Sequence, residues 1–92
     1  MAKFVKFTKE DIKTYRYPND RIALTAERDG EKLAVLTVNL PDTRISKDEV
    51  AIKDYSENEG VLNDLMEMGV VSEPIFYVPS GWVNIPICKL LI

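Results

Sequence analysis

The chain has 92 residues, of which 46% are hydrophobic and 29% are charged, and its formal net charge is −3. These values suit one globular domain with a modest core, and they exclude a disordered chain or a run of roughly 20 apolar residues that could span a membrane. There is no histidine and a single cysteine, Cys88, which excludes an internal disulfide and the usual zinc, non-haem iron and Ser–His or Cys–His sites.

The first 20 residues predict two short strands followed by a turn. Residues 3–8 and residues 12–17 are rich in β-branched and aromatic side chains, which favours strands. Residues 8–11 have the Thr-x-x-Asp spacing of a capping box, so a helical turn over residues 9–14 is the alternative to the second strand. The N-terminal segment lacks a continuous apolar stretch, so we expect no secretory signal and a cytoplasmic protein.

A hairpin is the clearest strand prediction. Asp29-Gly30 separates two β-rich runs, residues 21–28 and residues 31–40, and this dipeptide suits a two-residue turn in which both positions have positive φ. The turn predicts a register in which the opposed pairs are Arg28 with Glu31, Ala26 with Leu33, Leu24 with Val35, and Ile22 with Thr37. The second run is apolar on both faces, which predicts a central strand.

One capped helix is predicted over about residues 57–68, after a short strand at residues 50–53. Ser56 and Glu59 have the spacing of a capping box, which makes Ser56 the predicted N-cap. Gly69 suits the left-handed position after the last turn, where the next apolar residue contacts the helix. The helix would be apolar on one face and acidic on the other.

The last third of the chain predicts a second hairpin, with strands at residues 75–78 and 82–90 and a three-residue loop of residues 79–81. Pro86 predicts that its strand lies at a sheet edge or carries a bulge. Trp82 is expected to anchor the core, and the apolar C-terminus is expected to pack into it, with an interface as the alternative. We therefore predict a single α+β domain over residues 1–92: a mainly antiparallel, twisted sheet of about five to six strands with one helix packed on one face.

No motif for catalysis or for a cofactor is present. The four glycines are far apart, so they form no phosphate-binding loop. Residues 54–60 superficially suggest a calcium loop, but Gly60 is its seventh position and Leu65 stands where a bidentate glutamate belongs. We expect no catalytic residue, no cofactor and no metal.

Charge is distributed unevenly along the chain. Residues 1–28 hold seven basic and four acidic residues, a net +3, whereas residues 29–92 hold five basic and eleven acidic residues, a net −6. The acidic part predicts a protein-binding surface on the helix, made of Tyr55, Glu57, Asn58, Glu59 and Asp64. The alternative is binding of single-stranded nucleic acid through Lys3, Lys6, Lys13, Tyr15 and Arg16. We expect an unknown protein partner, no membrane, and a monomer or weak homodimer.

Several stretches resemble a known group of sequences. They are the run from Val50 to Gly60, which contains Lys-Asp-Tyr-Ser-Glu-Asn-Glu-Gly, the apolar helix to Gly69, and parts of residues 73–90. They resemble an uncharacterised family of small proteins encoded on conjugative and other mobile elements of Firmicutes and gut bacteria. The resemblance covers roughly residues 20–91. It implies a bacterial cytoplasmic accessory protein and supplies no catalytic residue.

Overall fold

The computed structural model describes residues 7–92 and begins with a three-stranded antiparallel sheet. Its strands are β1 (Ile12–Arg16), β2 (Ile22–Arg28) and β3 (Glu31–Val35), in the order β1-β2-β3. A 3₁₀ turn, Lys9–Asp11, precedes β1, and the capping box of Thr8 and Asp11 is present. The alternatives for this region are thus both partly correct, because a short helical turn leads directly into the strand. The predicted strand at residues 3–8 falls almost wholly outside the described residues.

The first hairpin is confirmed, but its register differs from the prediction. Asp29 and Gly30 both have positive φ, as a two-residue turn requires, and Arg28 pairs with Glu31. A β-bulge then shifts the pairing, so that Ala26 lies opposite Ala34 instead of Leu33. One extra residue reverses the faces of the strand beyond it. Val35 is therefore 40% exposed on the outer face, whereas Leu36 is buried in the core.

The predicted strand over residues 31–40 divides in two. After Val35 the chain stays bonded to β2 for one more residue, since the Leu36 amide donates to the Leu24 carbonyl at 2.9 Å. Residues 36–38 then pair with residues 51–53 through two further backbone hydrogen bonds and a bridge between Thr37 and Ile52. We call these two segments the joint, because they connect the first sheet to a second one. The single sheet that was predicted is therefore two three-stranded sheets.

The second sheet has the order β4-β6-β5, with strands β4 (Glu49–Ala51), β5 (Phe76–Ser80) and β6 (Val83–Lys89). Its hairpin has a two-residue turn, Gly81 and Trp82, instead of the predicted three-residue loop, since Ser80 pairs with Val83. The prediction that the strand of Pro86 lies at an edge or carries a bulge there was wrong, because β6 is central and its register with β5 runs without a shift past Pro86. The missing N–H is tolerated because Pro86 lies just beyond the last paired residues of β4, Ala51 and Ile87.

The helix is shorter than predicted and starts differently. Residues 56–58 form a 3₁₀ turn and α1 covers Val61–Glu67, with Gly60 between them in the left-handed region. Asp54 supplies the cap, because its Oδ1 accepts hydrogen bonds from the amides of Gly60 at 2.9 Å and Leu62 at 3.1 Å. Among residues 7–92 Ser56 makes no capping hydrogen bond, and Gly60 is the residue that precedes α1, so Ser56 is not the N-cap.

The helix end matches the prediction. Gly69 has a φ of 75°, and the amides of Gly69 and Val70 donate to the carbonyls of Met66 and Leu65. This is the Schellman pattern, which satisfies the carbonyls of the last turn.

Two apolar clusters hold the elements together. The main cluster packs the inner face of the first sheet against α1 and the second sheet, with Leu24, Leu65 and Ile52 fully buried. A smaller cluster lies on the second sheet around Ile85 and Ile87. At the C-terminus only residue 90 packs against the core, and the two residues after it are exposed. Across residues 7–92 no helix has the length and apolar character needed to cross a membrane.

Candidate functional site

The acidic helix surface is smaller than the sequence indicates. Asn58 is buried, and its side-chain amide donates to the Val35 carbonyl. Tyr55 is half-buried and packs against the smaller cluster. Glu57 is exposed but accepts a hydrogen bond from Lys53 at 2.5 Å, which lowers the pKa of the Glu57 carboxyl. Of the five predicted residues, only exposed Glu59 and half-buried Asp64 remain as carboxylates outside any ion pair among the described residues.

The ionisable groups of the interior offer little reactivity. Cys88 is fully buried, and burial together with the charge of Asp54 raises the pKa of its thiol to about 11. The thiol is therefore protonated at neutral pH and behaves as a small apolar side chain. Within residues 7–92 no three cysteine or acidic side chains lie close enough together to hold a metal ion.

An exposed apolar surface lies along β5 and the turn that follows it. Ile75, Phe76 and Tyr77 are exposed, Tyr77 by 57%, and Trp82 is fully exposed at the tip of the hairpin. We call these four residues the aromatic edge. The expectation that Trp82 anchors the core was wrong, because the turn has two residues and Trp82 is one of them. Residues 74–88 contain no charged side chain, which sets this surface apart from the rest of the chain.

The backbone of β5 is a poor template for another strand. The Pro86 carbonyl accepts from the Ile52 amide on the β4 side, so the polar groups of Tyr77, its partner on β5, point away from β6. Pro79 has the same orientation and lacks an N–H. A proline at an open edge is a common protection against strand addition. The aromatic edge is therefore available through its side chains more than through its backbone.

A second candidate surface is a groove on the outer face of the first sheet, the face turned away from α1. Its volume is about 530 Å³ and its open side faces solvent. Tyr15, Tyr17 and Val35 form much of its apolar surface, and Glu27 and Lys32 contribute charge. We call this the outer groove. The bulge in β3 creates it in part, because the predicted register would have placed Val35 opposite Leu24 in the core.

Glu27 organises the polar contacts of the outer groove. Its Oε2 accepts hydrogen bonds from the hydroxyls of Thr25 and Tyr15, both at 2.7 Å. These bonds and the charges of Lys32 and Lys13 lower the pKa of the Glu27 carboxyl. The hydrogen bond to Glu27 raises the pKa of Tyr15. Glu27 is therefore ionised at neutral pH and Tyr15 keeps its proton.

The residues predicted for nucleic-acid binding are only partly brought together. Tyr15 and Arg16 line the outer groove, and Lys13 is exposed on the same face of β1 as Tyr15. Arg16 alternates with Tyr15 along β1 and pairs with buried Ile22, so its side chain leaves the strand on the opposite face, where the guanidinium donates to the carbonyls of Asp20 and Lys47 at 2.9 and 3.3 Å. Lys3 and Lys6 lie outside the described residues.

Sequence reasoning missed the contribution of Val35 to the groove, because the bulge turns Val35 to the outer face. It also missed Glu27 and Lys32, which lie opposite each other in both the predicted and the observed register. No protein-family model, curated protein or solved structure matches this chain. Its function is therefore inferred from the two surfaces, the aromatic edge and the outer groove.

Proposed function

We propose that this protein is a non-enzymatic protein-interaction module that binds its partner through the aromatic edge. The observation that carries the proposal is Trp82, which is fully exposed at the tip of the hairpin whose strand β5 also exposes Phe76 and Tyr77, in an uncharged part of the chain. Tryptophan and tyrosine are the side chains that most often dominate binding energy at protein interfaces. A lack of charge is typical of the buried centre of such interfaces.

The partner is a folded protein with an uncharged, apolar cleft that accepts the Trp82 side chain. Pro79 and the few outward polar groups of β5 disfavour a partner that adds a strand to the sheet. The absence of charge in residues 74–88 favours an uncharged partner surface, because these residues could form no ion pair with a charged one. The acidic helix surface is left as a secondary contact at most, since Asn58 is buried and Glu57 is paired.

The resemblance of residues 50–90 to small proteins of bacterial mobile elements fits an accessory protein of this kind. We place the module in the bacterial cytoplasm as part of the same proposal. A module of this size can block or recruit a larger protein by occupying one surface of it.

The first experiment identifies the partner by site-specific photo-crosslinking. A photo-reactive amino acid replaces Trp82 in one variant and Glu67, an exposed residue of α1, in a control variant. We expect a defined protein adduct from position 82 and none from position 67. The adduct names the partner, which is then purified for binding measurements.

The decisive measurement is the dissociation constant of the purified pair. We expect Trp82→Ala to weaken binding by about 30-fold, which corresponds to roughly 2 kcal/mol at an interface centre. The matched control is the double variant Glu57→Lys/Asp64→Lys, which is expected to bind like the wild type. The reverse result, with loss of binding on charge reversal and normal binding of Trp82→Ala, would move the interface to the acidic helix surface.

A further inference from the structure

We propose that the outer groove is a separate binding site for single-stranded nucleic acid, in which Tyr15 stacks on a base and Lys13 and Lys32 contact the phosphates. This site lies on the first sheet, whereas the aromatic edge belongs to the second sheet. The two proposals therefore rest on different residues.

The aromatic side chains of the groove are suited to stacking. Tyr15 is 49% exposed and its hydroxyl is held by Glu27 at 2.7 Å, so the ring is fixed in place before a ligand arrives. Tyr17 comes directly after β1 and lines the same groove, and its hydroxyl shares a hydrogen bond with the Thr37 hydroxyl at 3.0 Å. Two held rings at the end of β1 form a platform for successive unstacked bases.

The charges around the groove suit a polyanion. Lys32 lines it, Lys13 lies on the same face of β1 as Tyr15, and Glu27 is the one carboxylate among its described lining residues; these three side chains carry a net +1 on a chain whose total is −3. Lys13 and Lys32 form no ion pair within 4 Å among residues 7–92, so both ammonium groups are available to phosphates. An open groove with cations at its margins and an aromatic surface is the usual arrangement for binding single strands.

Glu27 adds a preference among bases. Oε2 already accepts two hydrogen bonds, whereas Oε1 accepts none from the described residues. A carboxylate oxygen accepts from an exocyclic amino group, as found on cytosine and adenine, and it repels the carbonyl that thymine and uracil present instead. We therefore expect the groove to prefer cytosine- or adenine-containing strands to thymine strands.

Binding of labelled 12-nucleotide strands of (dC), (dA) and (dT) to the full chain tests the site, by fluorescence anisotropy at several salt concentrations. We expect (dC) and (dA) to bind more tightly than (dT), and Glu27→Gln to reduce that difference. Tyr15→Ala is expected to weaken binding by roughly 5- to 150-fold, the range for loss of one stacked base. Tyr15→Phe keeps the ring and is expected to retain most of the affinity.

Salt dependence separates the roles of the cations and the ring. Each phosphate contact on a single strand contributes about −0.7 to the slope of log K against log salt concentration. Lys13→Ala/Lys32→Ala is therefore expected to reduce the slope by about 1.4, whereas Tyr15→Ala leaves the slope unchanged. Tyr77→Ala, on the aromatic edge, is the matched control and is expected to bind strands normally.

Three results would overturn the proposal: no binding of any strand at low salt, binding that Tyr15→Ala leaves intact, or binding that Tyr77→Ala abolishes. A further contrary result is that Tyr15→Ala weakens binding of the protein partner and not of the strands, which would make the groove part of a protein interface. Failure at the groove leaves the aromatic edge untouched, because the two surfaces share no residue.

Discussion

Asp11 is an ionisable residue whose pairing makes stability depend on pH in the acid range. Its Oδ2 accepts from the Arg28 guanidinium at 2.6 Å and from the Thr8 amide at 2.9 Å, and these bonds lower the pKa of Asp11 from 3.8 to about 2. The folded state thus binds this proton more weakly than the unfolded chain does. The pair stabilises the fold above about pH 4, and that contribution is lost as the pH falls from about 4 to about 2.

We expect Asp11→Asn to lower the thermal midpoint at pH 7 and to flatten the dependence of stability on pH between 4 and 2. The measurement is thermal unfolding, followed by far-ultraviolet circular dichroism across that pH range. Asp48→Asn is the control, because the contact of Asp48 with Lys89 is exposed and 3.6 Å long. Equal effects of the two substitutions would show that the Asp11 pair has no special role.

Asn58 is a structural residue rather than a binding residue. Its buried amide satisfies the Val35 carbonyl at the point where the helix region meets β3. We expect Asn58→Ala to reduce the free energy of unfolding by about 1–3 kcal/mol, because it removes a buried side chain and leaves a partly buried acceptor without its partner. Urea denaturation measures this. Asn63→Ala, an exposed position on α1, is expected to change stability by less than about 0.5 kcal/mol.

At the scale of single elements, Asp54 decides where the helix begins. We expect Asp54→Ala to cost about 1 kcal/mol in unfolding free energy, since the amide of Gly60 and the first-turn amide of Leu62 lose their acceptor. Asp54→Asn keeps an acceptor oxygen and is expected to retain most of the stability. If Ser56→Ala reduced the free energy of unfolding more than Asp54→Ala does, the result would support the capping box predicted from the sequence.

The elements also show what local sequence can and cannot predict. Asp29-Gly30 and Gly69 were predicted correctly, because a positive φ at a turn or helix end is a local requirement that few residues meet. The prediction of a capping box at Ser56 was wrong because the left-handed backbone of Gly60 separates the 3₁₀ turn from α1, so Ser56 does not precede the α-helix directly. The register beyond Glu27 failed because a bulge responds to packing on both faces of a strand, and the turn carries no information about it.

The whole molecule depends on the joint between the two sheets. Leu36 is fully buried there, one position from exposed Val35. We expect Leu36→Ala to cost about 2–5 kcal/mol, and to increase amide hydrogen exchange in both sheets, because both attach to this segment. Hydrogen exchange with denaturant titration measures both effects.

Val35→Ala is the matched control for the joint, since it removes a neighbouring apolar side chain from the outer face. We expect it to cost less than about 1 kcal/mol. The register predicted from the sequence would give the opposite ranking, with Val35 the more costly of the two. The pair therefore tests the bulge as well as the joint.

Sequence patterns indicated some residues of the candidate surfaces and missed others, because the surfaces depend on long-range packing to different degrees. Tyr15 and Arg16 were proposed from composition and charge, which do not depend on strand register, and both are among the residues that line the outer groove. Trp82 was misplaced because a large apolar side chain is usually buried, and only the pairing of Ser80 with Val83 puts it in the turn. Division into two sheets was beyond local patterns, since residues 36–38 have the same apolar character as a continuing strand.

The exposure of Trp82 also determines which events change the intrinsic tryptophan fluorescence of this protein. It is the sole tryptophan, and water already surrounds its indole in the folded state. Unfolding therefore changes the surroundings of the indole very little, and the emission spectrum is nearly silent during denaturation. Burial of the indole against a partner replaces water with apolar groups and shifts the emission to shorter wavelengths. We therefore expect the fluorescence of Trp82 to report binding of a partner at the aromatic edge and to change little on unfolding.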